Sequence, residues 1–255
     1  MPEMHHDPPG ETVPNQPALP PTPITLNGQY CTLTPLSMEH APVLYELLGG
    51  VENAAIWTYI PYGPFADLES FTEFIKTHVK GSPFFTFVIW VPEGSRLSAA
   101  PTGSIDVAHA RPVGLISYLN IVPEHRSIEV GSVLYSKALQ RTTAATEAVY
   151  LLIKHCFESL HYLRCEWKAN NLNEPSKRAA IRYGFTFEGI FRKHLVIKGR
   201  RRDSWWSSMT DEEWDGGIQS ALDAWLAAEN FDHEGKQKKK LEEFRQGGTV
   251  MTKAQ

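Results

Sequence analysis

Ile128-Glu129-Val130-Gly131-Ser132-Val133-Leu134-Tyr135 reads as a strand that changes phase midway: apolar residues fall on even positions at Ile128 and Val130, then on odd ones at Val133 and Tyr135. Side chains alternate faces along a strand, so a slip of one position across Gly131-Ser132 predicts a β-bulge, one extra residue with a local bend. A bulge leaves backbone N–H groups without ladder partners, free to bind something else. Shortly after comes Leu139-Gln140-Arg141-Thr142-Thr143-Ala144-Ala145-Thr146-Glu147-Ala148, with no bulky residue where the chain turns into a helix. A helix amino end presents about four unpaired N–H groups and roughly half a positive charge. Small side chains there let an anion approach the backbone, and phosphate is the usual occupant. Arg141 adds a guanidinium suited to phosphate oxygens. A tight turn capped by Thr142 or Thr143 explains the same stretch equally well.

Outward from this pair of segments the chain alternates strands and helices. Val149, Leu152, Ile153, Cys156, Phe157 and Leu160 form one helical stripe. Residues 163–168 alternate cleanly, with Leu163, Cys165 and Trp167 on one face and Arg164, Glu166 and Lys168 on the other. Residues 173–185 form a compact helix with Pro175 in its first turn and Gly184 past its end, and two strands joined at Lys198-Gly199 follow. Upstream, 84–91 and 112–122 read as buried strands, paired antiparallel across the small-residue loop 92–110. A short strand at 30–36 precedes a helix running from Ser37 to Gly49-Gly50, and Asp67 caps a second helix. The sum is a mixed α/β fold, a mostly antiparallel central sheet flanked by helices. Residues 1–23 read as a disordered proline-rich leader, 24–215 as one domain, and 216–255 as a docked helix followed by a frayed charged tail.

Composition narrows the function. A formal net charge of −4 over 255 residues makes the whole chain no magnet for nucleic acid or anionic lipid. No apolar run approaches the ~20 residues that span a bilayer, and no basic-then-apolar start suggests a secretory signal. Cys31, Cys156 and Cys165 are odd in number, far apart and on apolar faces, so they read as small buried hydrophobes in a reducing, cytoplasmic compartment. No ligand spacing predicts a metal site.

Bulged strand, small-residue turn, amphipathic helix, strand and Asn-initiated helix occur in an order that resembles the GNAT superfamily of acyl-CoA N-acyltransferases. The likeness is to the branch that includes ribosomal-protein N-terminal acetyltransferases. "IEVGSVLY" looks like the family's E-I-G-Y-x-L strand, "QRTTAATEAVYLLIKHCFESL" like its pyrophosphate turn and helix, and "NLNEPSKRAAIRYGFTFEGIFR" like its N-x-x-S segment ending G-F-x-x-E-G. The likeness spans roughly residues 30–213 and is strongest from Ile128 to Gly189. It implies acetyl-CoA as donor. Its pyrophosphate would lie on the N–H groups from Arg141 through Thr142, Thr143 and Ala144 to Ala145, helped by the Gln140 and Arg141 side chains. Its pantetheine arm would pair near Val133 and Leu134, with Asn173 touching it. Two positions depart from the family: Thr143 and Ala145 stand where it usually has glycine, and Ala180 where many relatives place a tyrosine acid. Ser176, three residues after the motif Asn, is then the candidate acid, although a first-turn serine also commonly bonds its own helix.

Amide formation from a thioester needs a neutral amine, a base and a proton for the sulfur. The candidate bases, in order, are Glu129 beside the bulge, His194 on a late strand, and Glu166, which also reads as paired with Arg164 or Lys168. Aromatics in 57–65 and 204–206 supply an acceptor wall or core. The basic closing hairpin, Arg192 to Arg202, favours an acidic acceptor or coenzyme phosphate, or is only a solvated surface. The leading expectation is an acetyltransferase acting on an amine of a small molecule or peptide N-terminus, as monomer or homodimer. A non-catalytic coenzyme-binding module and, less favoured, a nucleic-acid-binding protein are the alternatives.

Overall fold

The structure, a computed structural model, describes residues 10–13, 15–80, 83–94 and 105–245. Its eight strands are β1 (Leu26–Asn27), β2 (Thr32–Pro35), β3 (Phe85–Pro92), β4 (Ala110–Val122), β5 (Ser127–Tyr135), β6 (Arg164–Asn170), β7 (Thr186–Ile197) and β8 (Arg200–Thr210). They form one sheet in the order β1-β2-β3-β4-β5-β6-β8-β7, antiparallel throughout except for β5 and β6. Helices α1 (Ala41–Leu48) and α2 (Leu68–Val79) cover one face. Helices α3 (Thr143–Lys154), α4 (Glu174–Tyr183), the single turn α5 (Asp211–Glu213), α6 (Gln219–Leu226) and α7 (Leu241–Arg245) complete the set. The larger core, with Ile128, Val130, Leu152, Cys165 and Met209, lies under α3. Cover on both faces explains why 113–118 of β4 is buried at every position, with Ser117 the polar exception bonded to Thr86.

The bulge lies where the phase slip predicts it. Leu115 pairs with Leu134 and Ser117 with Gly131, so Ser132 and Val133 together oppose Ile116, and Ser132 takes a left-handed φ of 47°. A Cβ on Gly131 would stand 2.4 Å from Leu119 Cδ1, so a larger residue there would make the Leu119 side chain shift. The parallel pairing of β5 with β6 covers only Ser127 to Glu129 against Arg164 to Glu166. Beyond it the two strands splay, leaving an open slot in the middle of the sheet.

The boundaries differ from expectation at both ends. Ala18 is buried, its N–H donates to Pro123 O at 3.0 Å, and Leu19 N–H donates to Leu160 O at 2.9 Å. Arg126 donates to Gln16 O. The leader is therefore tied down at 16–19: composition rules out a core of its own but not a strap whose few N–H groups find carbonyls on the body. Residues 1–9 and 14 of that expectation lie outside the described residues. The tail is fixed through Arg245, because Leu241 is fully buried and Asn230, also buried, accepts from Lys238 and Lys239 main-chain N–H groups. Residues 246–255 lie outside the described residues.

Candidate active site

The amino end of α3 forms one wall of the slot's mouth. Thr142 is its cap: Oγ1 accepts the Ala145 N–H at 3.1 Å, and the hydroxyl donates to Leu139 O at 2.7 Å. The N–H groups of Arg141, Thr142, Thr143 and Ala144 have no partner among the described residues. Ala145, expected to join them, spends its N–H on the cap. Arg141 turns the chain with a φ of 64°, and its exposed side chain makes no hydrogen bond or ion pair among the described residues. Gln140, also exposed, donates to Tyr135 O at 3.2 Å. Four unpaired donors, three of them on residues no larger than threonine, suit a diphosphate. One turn on, the buried Glu147 accepts from the N–H groups of Gln29, Tyr30 and Cys31, each at 2.7 Å, and so ties the start of β2 to α3. No local sequence signal announces this, because the donors lie more than 115 residues upstream.

The far wall is the start of α4. Asn173 caps it, with Oδ1 accepting the Ser176 N–H at 3.3 Å, which leaves the Asn173 amide NH₂ uncommitted. Ser176 Oγ accepts the Trp167 indole N–H at 3.0 Å, so its own proton stays available to donate. Ala180 is fully buried, and Tyr183 lies against the sheet with its ring 6.0 Å from that of Trp167. Neither position offers an acid to the slot.

Glu129 occupies the last paired position before the splay. It is only 6% exposed. Asn120 donates to its Oε2 at 2.5 Å, and Lys168 Nζ stands 3.0 Å from the same oxygen. Its Oε1 has no partner among the described residues and faces the bulge: a Cβ built on Gly131 would lie 3.3 Å from it. Burial pushes this carboxyl above the ordinary range, against the pull of Lys168 and Asn120. From Glu129 a chain of alternating charges runs outward. Lys168 contacts Glu166 at 2.7 Å, Glu166 accepts from Arg164 at 2.8 Å, and Arg164 makes a fork with Glu188. Glu166 is thus held by cations on both sides, as its alternating neighbours suggest.

Pairing register places further groups on the same face. Trp206 lies opposite Lys168 and Ser204 opposite Asn170. Lys168 Nζ stands 4.0 Å above the Trp206 ring, which stacks on Phe191. His194 is exposed, with Nδ1 2.9 Å from Ser204 Oγ and its ring 5.8 Å from Trp206. It therefore borders the aromatic wall, while Glu129 lies at the floor. Of the expected acceptor aromatics, Trp57 belongs to the α1–α2 core, fully buried and donating to Leu48 O. Tyr59 reaches across to Leu172 O at 3.0 Å, and Lys198 at the β7–β8 tip donates to Trp57 O at 2.9 Å. Sequence reasoning missed Asn120 and Lys168 as partners of Glu129. Lys168 lay on the polar face it identified, but only the parallel register brings it to Glu129.

A mixed sheet splayed at its centre, with an unpaired helix amino end beside the splay, defines the acyl-coenzyme-dependent N-acyltransferase fold. The family described as Acetyltransferase (GNAT) domain matches residues 31–186, and the chain belongs to it. A GCN5-related N-acetyltransferase from Brucella melitensis is similar at 36% identity and a TM-score of 0.81, over 91% of this chain and 98% of that one. A Bacillus subtilis (strain 168) protein named "Putative ribosomal N-acetyltransferase YdaF" is 32% identical over 103 residues, 40% of this chain. The match spans 56% of that relative's length. The spermidine N-acetyltransferase from Vibrio cholerae, solved with CoA and spermine, shares the fold at 18% identity and a TM-score of 0.55, over 73% of this chain and 99% of that one. No helix among the described residues is long and apolar enough to cross a membrane.

Proposed function

We propose that this protein transfers an acetyl group from acetyl-CoA to a primary amine, of a small molecule or a peptide N-terminus, with both substrates bound together. The observation that carries the reading is the free Oε1 of Glu129, which faces the bulge at the last paired position before the splay. A coenzyme-binding module has no use for a buried carboxylate with one oxygen left open.

The donor's fit rests on groups already described. The N–H groups of Arg141 to Ala144, with the Arg141 and Gln140 side chains, would hold the pyrophosphate. Backbone groups of Val133 and Leu134, which have no β6 partner, would hold the pantetheine arm, and the Asn173 NH₂ would face it. When bound, acetyl-CoA supplies an acyl carbon already activated as a thioester. Glu129 Oε1 takes the proton from the amine nitrogen as the N–C bond forms. Its raised pKa brings it nearer the α-amine range, about 7.7–8.0, than an ordinary carboxylate stands. Ser176, its oxygen already occupied by the Trp167 indole, gives its proton to the departing sulfur, and exchange with solvent resets both groups. His194 borders the acceptor and is the reserve base. A lysine side chain near ~10.4 would be a poor acceptor for so weak a base, whereas an α-amine is substantially neutral.

Calorimetry of acetyl-CoA binding tests the donor half, comparing the intact chain with the double variant Arg141→Ala, Ala145→Glu. Micromolar-class binding lost in the variant is expected, and a screen of amines for free-thiol release follows. A folded chain that does not bind acetyl-CoA overturns the reading.

A further inference from the structure

Three cations share the face of the sheet that holds Glu129, and they are not alike. Arg164 is held between Glu166 and Glu188, and Lys168 between Glu129 and Glu166. Arg202 is half-buried yet makes no ion pair or hydrogen bond among the described residues, and its Nε is buried without a partner. Desolvation works against its charge, and Glu129 supports it only through space. A guanidinium stays protonated whatever its surroundings, so burial without a contacting anion is a standing cost. Glu129 does not need it as a partner, since Asn120 and Lys168 already hold Oε2.

Its position gives that unpaired charge a direction. Arg202 pairs with Leu195 on β7, but β6 ends at Asn170 opposite Ser204, so the other flank of Arg202 has no strand beside it. Arg202, Ser204 and Trp206 alternate onto one face of β8, the face of Lys168 and Glu129. The same hairpin is closed onto the 57–59 segment through Lys198. This row leads along the sheet face from the β7–β8 hairpin toward Lys168 and Glu129.

Resting on the acetyl-transfer reading, we infer that Arg202 is the specificity-determining residue for the acceptor, and that the acceptor carries a carboxylate close to its reactive amine. A bidentate guanidinium–carboxylate pair is the recognition this geometry offers. The carboxylate belongs either to a free amino acid or to an acidic residue following a peptide's terminal amine. A polyamine, cationic along its whole length, meets Arg202 and Lys168 as like charges.

The test uses the full chain and matched acceptors, after acetyl-CoA binding has been established by calorimetry. The free arm compares alanine and serine with their α-amides, which lack any carboxylate. The peptide arm compares Ser-Glu-Ala-amide with Ser-Gln-Ala-amide, and spermine serves as the carboxylate-free polyamine. Thiol release is expected to favour the carboxylate member of at least one arm roughly tenfold or more, through KM. Arg202→Met removes that preference and Arg202→Lys keeps part of it. Equal KM within both arms, a preference that survives Arg202→Met, or spermine as the best acceptor overturns the inference and leaves acetyl transfer standing. If no acceptor turns over, the same compounds are titrated calorimetrically into the CoA-saturated protein. Carboxylate binding lost in Arg202→Met supports the inference, and no carboxylate binding overturns it. A chain that does not bind acetyl-CoA fails at the earlier step, so the two failures are distinct.

Discussion

Two buried glutamates, Glu129 on β5 and Glu147 on α3, face the same physical problem and solve it differently. Both are almost wholly removed from water, and burial pushes both carboxyls up. Glu147 has both oxygens engaged by three backbone N–H groups that the chain cannot withdraw without unfolding. Glu129 has one oxygen held by two side chains and the other open toward the bulge. Main-chain donors make a carboxylate into a fastener. Side-chain donors on one oxygen leave it able to change protonation state while keeping its place.

The largest effect that separates the two roles is expected from Glu129→Gln. It should lower turnover about 10²–10⁴-fold, the usual range for losing a positioned base, with the fold and acetyl-CoA binding retained. Thiol release under saturating donor measures it, and an unchanged rate would end the assignment of Glu129 as base. Glu147→Ala should do the reverse. Stranding three N–H groups and opening a void costs about 3–5 kcal/mol of stability, read from urea denaturation, with activity per folded molecule close to wild type.

Gly28→Ala attacks the Glu147 site without altering Glu147. The new Cβ would fall 2.3 Å from its Oε2 and 2.8 Å from Cys31 O. A loss of about 1–3 kcal/mol is expected, again in stability alone. Lys168→Met sharpens the other side. Lys168 favours the ionised form of Glu129, so its removal raises the carboxyl pKa further. The base is then lost at higher pH, and the acid limb of kcat/KM should move upward by about one pH unit. Lys168→Arg should return the limb toward wild type, and a limb that stays put in the methionine variant would show that Lys168 does not tune the base.

The asymmetry between these glutamates also marks what could be read in advance. The phase slip at Gly131-Ser132 revealed the bulge because alternation is a local property, and Thr142 and Asp67 announced helix starts for the same reason. Glu129 was found through its neighbours in the strand. Glu147 was passed over because its donors come from the far end of the chain, and a glutamate in a helix's second turn reads as an ordinary polar residue. Lys168 and Arg202 were visible only as members of a polar face and a basic hairpin. What distinguishes them, a shared carboxylate in one case and the lack of any in the other, depends on the register of β5, β6 and β8. The leader misled through composition, since prolines that exclude a core do not exclude a strap.

The three-residue pairing of β5 with β6 has a mechanical meaning. Hydrogen bonds give a sheet its stiffness, and at this seam they are confined to one end. β1–β5 and β6–β8 therefore form two leaves joined at a fulcrum, with the α3 core bracing one side. When such leaves flex, displacement grows with distance from the pivot. Val133 and Leu134 stand four and five residues beyond Glu129, the last residue of the pivot. The span left for a long cofactor arm thus begins beyond the bonded end of the seam, and the carboxylate sits within that bonded end.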